Sequence, residues 1–430
     1  MSLMFEFAHV SDCHIGAWRD PKLRELNIRA FEQAIDKCKE EKVSFILICG
    51  DLFDDNIPDL PSVERACIKM REAKDLGISI YVIYGSHDYS ANLVSMIDVL
   101  NSAGLFTKVA AYETTEEGKL RLKFFTDPNT SVKITGISGR KTSLETDYFS
   151  SIDQDQIRKE SGFKILLFHS AIEELKPKEL VYSQSVPESA IPPSFNYYAG
   201  GHIHKRFEDE VKVGHVAYPG PLFGGEFRDL ELSAGGEPRG FFIVQVDNTK
   251  ITSKFVDISV CEFIYQEINA ERKSANLLRE ELLKFATTTD VTGKLVLLKI
   301  RGALSSGRPA DIDFSQIRQT LLDRGALVAQ VNRYSLTTQE TARISVHGES
   351  RREIEEKLLH EHISNFKLDS SISDESVKQA VQERFIGKNG IQSANNLLSA
   401  AKTEQKENEN RAAYEARVLE VSRSALRLSD

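Results

Sequence analysis

Five apolar runs in the first half of the chain each give way, within a few residues, to Asp, His or both. FAHV is followed by Ser11, Asp12, Cys13 and His14, and FILIC by Gly50 and Asp51. IYVIY leads into Gly85, Ser86, His87 and Asp88, KILLF into His169, and NYYAG into Gly201, His202, Ile203 and His204. Short apolar runs alternating with helical patterns read as strands of an α/β sheet built from crossover units. The carboxyl ends of such strands line one crevice, so residues far apart in sequence converge by topology alone.

The strand candidates are residues 5–10, 44–49, 78–84, 108–112, 133–137, 164–169, 195–200 and 241–246. Between them, residues 24–40 place Leu26, Ala30, Ala34, Ile35 and Cys38 at three- and four-residue spacings, which predicts an amphipathic helix. Residues 62–73 and 93–100 read the same way. From about residue 250 the style changes to helix (274–287), strand (294–301), helix (314–324) and strand (326–336), a small α+β module. After about residue 348 only helical patterns remain. Val377, Val381 and Phe385 form a stripe on residues 375–386, and Leu397, Leu398, Tyr414, Val418 and Leu426 form another on 391–428. Such stripes are too thin to fold alone and must dock on something. The expected organisation is therefore residues 1–250, 251–347 and 348–430, in line with a length of 430 residues.

Composition narrows the class. With 41% hydrophobic and 28% charged residues the chain is of ordinary globular type, not disordered or low-complexity. No run approaches the length of a membrane span, and the start lacks the pattern of a secretory signal. Cys13, Cys38, Cys49, Cys67 and Cys261 show no CxxC spacing, so neither a disulfide framework nor a thiolate zinc site is expected. A reducing cytoplasm fits, with nucleoid association if the source is prokaryotic. Fifty-five Lys and Arg against 64 Asp and Glu give −9, which excludes a basic DNA-coating protein. It does not exclude an enzyme that meets phosphate through bound divalent metals beside a basic partner.

In an extended segment Asp12 and His14 point to one side and Cys13 to the other, and His202 and His204 pair likewise around Ile203. Carboxylate and imidazole without thiolate suit Mn²⁺, Fe²⁺, Zn²⁺ or Mg²⁺. The candidates are too many for one ion, and a carboxylate such as Asp51 can bridge two. Two divalent ions roughly 3.5 to 4 Å apart clamp the attacking and leaving oxygens of a phosphoester. Glycines at 50, 85 and 201 are expected to let the backbone turn sharply as each ligand leaves its strand. A single His at a strand end is more often structural than metal-binding. Five strand ends together are not so easily dismissed. His9, inside an apolar run, reads as a core residue, His360 and His362 as solvated, and His215 is open. Ser86, His87 and Asp88 are adjacent in a turn and cannot form a nucleophile relay.

Asp12-x-His14, Gly50-Asp51, Gly85-Ser86-His87-Asp88, His169 and Gly201-His202-Ile203-His204 resemble, in order, the five motifs of the calcineurin-like metallophosphoesterases. The longer contexts HVSDCHIG, GDLFDD, GHIHKR and AYPGP resemble the Mre-eleven and SbcD branch, the nuclease subunits of double-strand-break repair complexes. The resemblance covers about 250 residues by motif. It implies a metallophosphoesterase sheet sandwich with helices outside, a small α+β capping domain, and a helical C-terminal tail that docks on the coiled coil of an ABC-type ATPase.

Carried over by position, Asp12, His14, Asp51 and His204 would hold one metal, and Asp51, Ser86, His169 and His202 the second, with Mn²⁺ the expected ion. His87 would stabilise the transition state or protonate the leaving oxygen, with Asp88 orienting its ring. Asp54, where some members have His, joins the catalytic set. Ser86 departs from the Asn usual in the family. The implied activity is exonuclease and single-strand endonuclease cleavage of DNA ends, hairpins and single strands, with Arg19, Arg140, Lys141, Lys205 and Arg206 as candidate phosphate contacts. The resemblance also implies a homodimer, with residues 93–100 as a candidate face. A phosphatase or cyclic-nucleotide diesterase of the same superfamily, or a weakened scaffold subunit, remain alternatives.

Overall fold

The computed structural model describes residues 4–89, 94–139, 145–176, 185–338, 392–393, 396–397 and 411–425. The first apolar runs do not enter one sheet but two, each six-stranded. One runs in the order Lys250–Asp257, Gly240–Asp247, Met4–Val10, Phe45–Cys49, Ser79–Ile83, Thr107–Lys108. The other runs Phe207–Val211, Gly214–Tyr218, Tyr197–Gly201, Lys164–His169, Lys133–Ile137, Phe125–Thr126. Met4–Val10, Phe45–Cys49 and Ser79–Ile83 are parallel neighbours, and so are Lys133–Ile137, Lys164–His169 and Tyr197–Gly201.

Strand alternation explains the layers. Every residue of Phe45–Cys49 is buried, which a strand covered on both faces requires. Phe45, Leu47 and Cys49 pack with Ile165, Leu167, Tyr197 and Ala199 of the other sheet, whereas Ile46 and Ile48 pack with the helices. Phe7 and Phe45 stack at 5.0 Å within the inter-sheet core. The helix Pro21–Glu40 starts where Asp20 caps Lys22 N and Pro21 presets the first turn. It buries Leu23, Leu26, Ala30, Phe31, Ala34, Ile35 and Cys38. The helix Leu60–Asp75 is capped by Asp59, which accepts from Ser62 N at 2.9 Å.

Two expected elements shift. KVAAY gives only Lys108 to this sheet, at the end of Thr107–Lys108, since Ala111 N turns back onto Val109 O at 3.1 Å, and its Tyr112 begins a separate strand, Tyr112–Thr114. The helix placed at 93–100 runs from Met96 to Ser102, where Ser95 and Asp98 form a capping box. Phe263–Asn269 and Leu295–Leu304 pair in parallel, next to Val328–Thr338. By compactness, residues 1–269, 278–301 and 313–335 make one unit, and 270–277, 302–312 and 336–430 a second. In the second, Ala275 N donates to Ser306 O at 2.9 Å, and Arg411–Ala425 is helical. Residues 375–386, His360 and His362 lie outside the described residues. Among the described residues all five cysteines are free, and no helix is long and apolar enough to cross a membrane.

Candidate metal centre

The convergence comes from both sheets. The strands ending at Val10, Cys49 and Ile83 belong to one, and those ending at His169 and Gly201 to the other. Beyond Val10 the backbone is not extended, contrary to what alternation predicts. Asp12 and His14 adopt φ of 51° and 46°, Asp51 of 49° and His202 of 83°, all in the left-handed region. Each costs on the order of 1 kcal/mol and persists only where surroundings impose it. Here Asp12 N and His14 N donate to Gly50 O and Asp51 O at 3.1 and 2.9 Å, locking the two strand ends together.

The glycines also act differently from expectation. Only Gly50 needs a positive φ, 85°. Gly85 and Gly201 supply room: a Cβ would fall 2.1 Å from Asp51 Oδ1 at Gly85 and 2.0 Å from Cys49 O at Gly201. A Cβ on Gly50 would lie 2.3 Å from His169 Nδ1.

Asp51 sits centrally. Its Oδ2 is 3.1 Å from His169 Nε2, 3.8 Å from His14 Nε2 and 3.5 Å from Ser86 Oγ, and its Oδ1 accepts from His87 N at 2.8 Å. Asp12 Oδ1 accepts from His202 N at 2.9 Å and lies 4.0 Å from His204 Nε2. His14 Nε2 and His204 Nε2 approach to 3.2 Å. Asp12, His14 and His204 thus form one ligand cluster, Asp12, Asp51 and His169 a second, and His14, Asp51 and His87 a third. His202 belongs to none of these. Its ring centroid is 5.2 Å from that of His169, and it lines the cleft.

The donor set fits divalent cations. Three imidazoles are each tied at Nδ1 by an oxygen, His169 to Cys49 O at 2.8 Å, His14 to Asp54 Oδ1 at 3.1 Å and His204 to Asp229 Oδ1 at 2.9 Å. That pattern turns a bare Nε2 inward, as metal-binding histidines do. His169 Nε2 is buried without a hydrogen-bond partner, despite its nearness to Asp51. Burial opposes a charge on His169, yet the Asp51 and Asp12 carboxylates and Cys49 O outweigh it and raise the ring to about 10. Against the same burial, Asp54, Asp51 and Asp12 raise His14 to about 9. These carboxylates draw in positive charge, and cations can replace the protons.

His87 lines an open cleft of about 390 Å³ with Asp54, Ser86 and Lys205. Its side chain is 46% exposed. The role expected for Asp88 is corrected. Asp88 is buried and accepts from Leu52 N, Phe53 N and Gly85 N at 3.2, 2.9 and 2.9 Å, so it fixes two loops rather than the His87 ring. Asp54 O holds His87 Nδ1 instead, at 2.7 Å. His9 bonds Tyr197 Oη and Gly200 O inside the core. His215 is taken by Glu208 and Glu210 at 2.9 Å each. Arg206 stacks over Phe255, and Arg140 and Lys141 lie outside the described residues. Sequence reasoning missed Asp229, on the helix Phe227–Ala234. Its short helix has a capping box as its only signal, and nothing in the sequence ties it to His204.

With this geometry in place, the match to known proteins is specific. The calcineurin-like phosphoesterase family profile covers residues 5–206. Residues 5–206 carry a calcineurin-like phosphoesterase domain. The chain is 24% identical over 331 residues to the DNA double-strand break repair protein Mre11 of Archaeoglobus fulgidus, covering 73% of this chain and 72% of that one. It is 30% identical over 219 residues to the Mre11 of Methanococcus maripaludis, covering 50% and 55%. An uncharacterized metallophosphoesterase, YhaO of Bacillus subtilis, is 23% identical over 259 residues, covering 58% and 59%. With this domain the chain is a metal-dependent phosphodiester hydrolase.

Proposed function

We propose that the chain is a DNA nuclease of double-strand-break repair, with exonuclease and single-strand endonuclease activity, that uses two Mn²⁺ ions and works with an ABC-type coiled-coil ATPase. The observation that carries this reading is Asp51 Oδ2 lying within 3.8 Å of both His14 Nε2 and His169 Nε2. A carboxylate so placed can serve two ions. Asp12, His14, Asp51 and His204 would hold the first, and Asp51, Ser86, His169 and His202 the second. When bound, the pair supplies Lewis-acid polarisation of the phosphate and an activated water.

The protein's own residues do the rest. His87, on the open side of the cleft with Nδ1 engaged by Asp54 O, presents Nε2 to a scissile phosphate. It stabilises the developing charge or gives a proton to the leaving oxygen. Lys205 at the rim holds a flanking phosphate. The buried Asp12, Asp51 and His169 exclude bulk water from the metal side. Two such subunits would pair through the face that includes the exposed Val94 and Val99, and the C-terminal helices would bind the ATPase.

The test is incubation of linear DNA, a nitrophenyl phosphomonoester and a nitrophenyl phosphodiester with the full chain and Mn²⁺. Cleavage of DNA well above both small esters supports the reading. Preference for the monoester makes the chain a phosphatase.

A further inference from the structure

His204 is held by a residue that no ligand motif contains. Asp229 is 1% exposed, and its Oδ1 and Oδ2 lie 2.9 and 3.1 Å from His204 Nδ1. Its Oδ2 also accepts from Gly225 N at 3.0 Å and Glu226 N at 3.3 Å. A buried carboxylate is costly unless it is paired and hydrogen-bonded, and these partners meet that demand. The helix is pinned as well. Arg239 donates to Asp229 O at 2.7 Å and to His204 O at 2.8 Å, so one guanidinium clamps both residues of the pair. On the same helix Glu231 takes Tyr265 Oη at 3.1 Å and Lys299 Nζ at 2.9 Å. Space is closed around the carboxylate too, since a Cβ on Gly224 would fall 2.3 Å from Asp229 Cβ.

His204, Glu226 and Asp229 are themselves close enough to hold an ion. However, His204 Nδ1 and both Asp229 oxygens already bond one another, and two backbone N–H groups complete the set. The cluster is a hydrogen-bond network facing the metal centre and not a further cation site.

We propose that Asp229 is a positioning residue: it keeps the proton of His204 on Nδ1, turns the bare Nε2 toward Asp12 and His14, and so sets the affinity of the first metal position. This rests on the two-ion reading above. A carboxylate behind a metal-bound imidazole fixes its tautomer and raises its basicity, and losing it costs roughly 10- to 100-fold in metal affinity.

The experiment is calorimetric titration of metal-stripped full chain with Mn²⁺, for the natural protein and Asp229→Asn. Asn keeps the shape and an acceptor oxygen but removes the charge. One of the two affinities should weaken by roughly 10- to 100-fold, with the other within about twofold. Equal affinities in both proteins overturn the proposal and leave the two-ion reading intact. A natural protein that binds no Mn²⁺ overturns the two-ion reading itself. A second measurement needs no variant: ¹⁵N histidine spectra of the Zn²⁺-loaded natural protein should show His204 protonated at Nδ1. Protonation at Nε2 instead overturns the proposal even if Asp229→Asn does not fold.

Discussion

The Nδ1 of His87 lies 2.7 Å from the backbone carbonyl of Asp54, while the adjacent Asp88 carboxylate turns away to bond Leu52 N, Phe53 N and Gly85 N. The ring proposed to meet substrate is therefore oriented by main chain, and its neighbour in sequence ties together the loops behind it. His87→Ala should lower DNA cleavage by roughly 10²- to 10⁴-fold while leaving two bound metal ions, because the ring acts on phosphate. Calorimetry of the variant checks this, and loss of an ion would assign His87 to the metal instead.

Ser86 is the one proposed ligand that departs from the family. Its Oγ is 3.5 Å from Asp51 Oδ2, and a Ser side chain reaches less far than Asn and offers a hydroxyl in place of an amide oxygen. The second ion should bind more weakly than the first, and activity should saturate only well above the Mn²⁺ that fills the first position. Ser86→Asn should lower the Mn²⁺ for half-maximal cleavage. Two equal, tight affinities unchanged by this substitution would remove Ser86 as a weak point.

The residues at the centre could be read from the chain because each of five apolar runs ends in Asp or His where a strand leaves its core, although the strand ends that meet there come from two sheets and not from one edge. Their backbone could not. Alternation assumes extended geometry, whereas Asp12, His14, Asp51 and His202 sit at positive φ, the first three where two strand ends about forty residues apart in sequence bond each other and His202 where its N–H meets Asp12 from 190 residues away. The glycine roles differ from expectation for a related reason. Gly85 and Gly201 are required by close approach of Asp51 and Cys49, and such crowding leaves no local trace. Asp229 and Cys49 O act through tertiary hydrogen bonds that no spacing rule encodes.

His9 provides a pH test away from the metals. Burial pushes its ring down to about 3, so it stays neutral in the fold, while an unfolded chain takes up a proton near the ordinary value of 6.5. The folded pKa is depressed, so stability is complete above pH 6.5 and falls as the pH drops toward 3. Between pH 7.5 and 5 the loss from this residue should be about 2 kcal/mol. Denaturant unfolding of the natural protein and His9→Gln at both pH values checks it, the variant lacking that share of the loss.

The C-terminal helix Arg411–Ala425 leaves Leu419 and Val421 exposed, and the tail is proposed to bind the ATPase. Truncation at Ser373 should preserve Mn²⁺-dependent cleavage and abolish association with a coiled-coil ATPase in size-exclusion chromatography. Unfolding of the truncated protein, seen by circular dichroism, would mean that the tail packs on the chain's own body.

Asp51, proposed as the carboxylate shared by two ions, is the residue on which the proposed chemistry most depends. Calorimetric titration with Mn²⁺ should find two ions bound by the natural protein and neither retained with comparable affinity by Asp51→Ala. A folded Asp51→Ala protein that still binds two ions as tightly as the natural one would contradict the shared site.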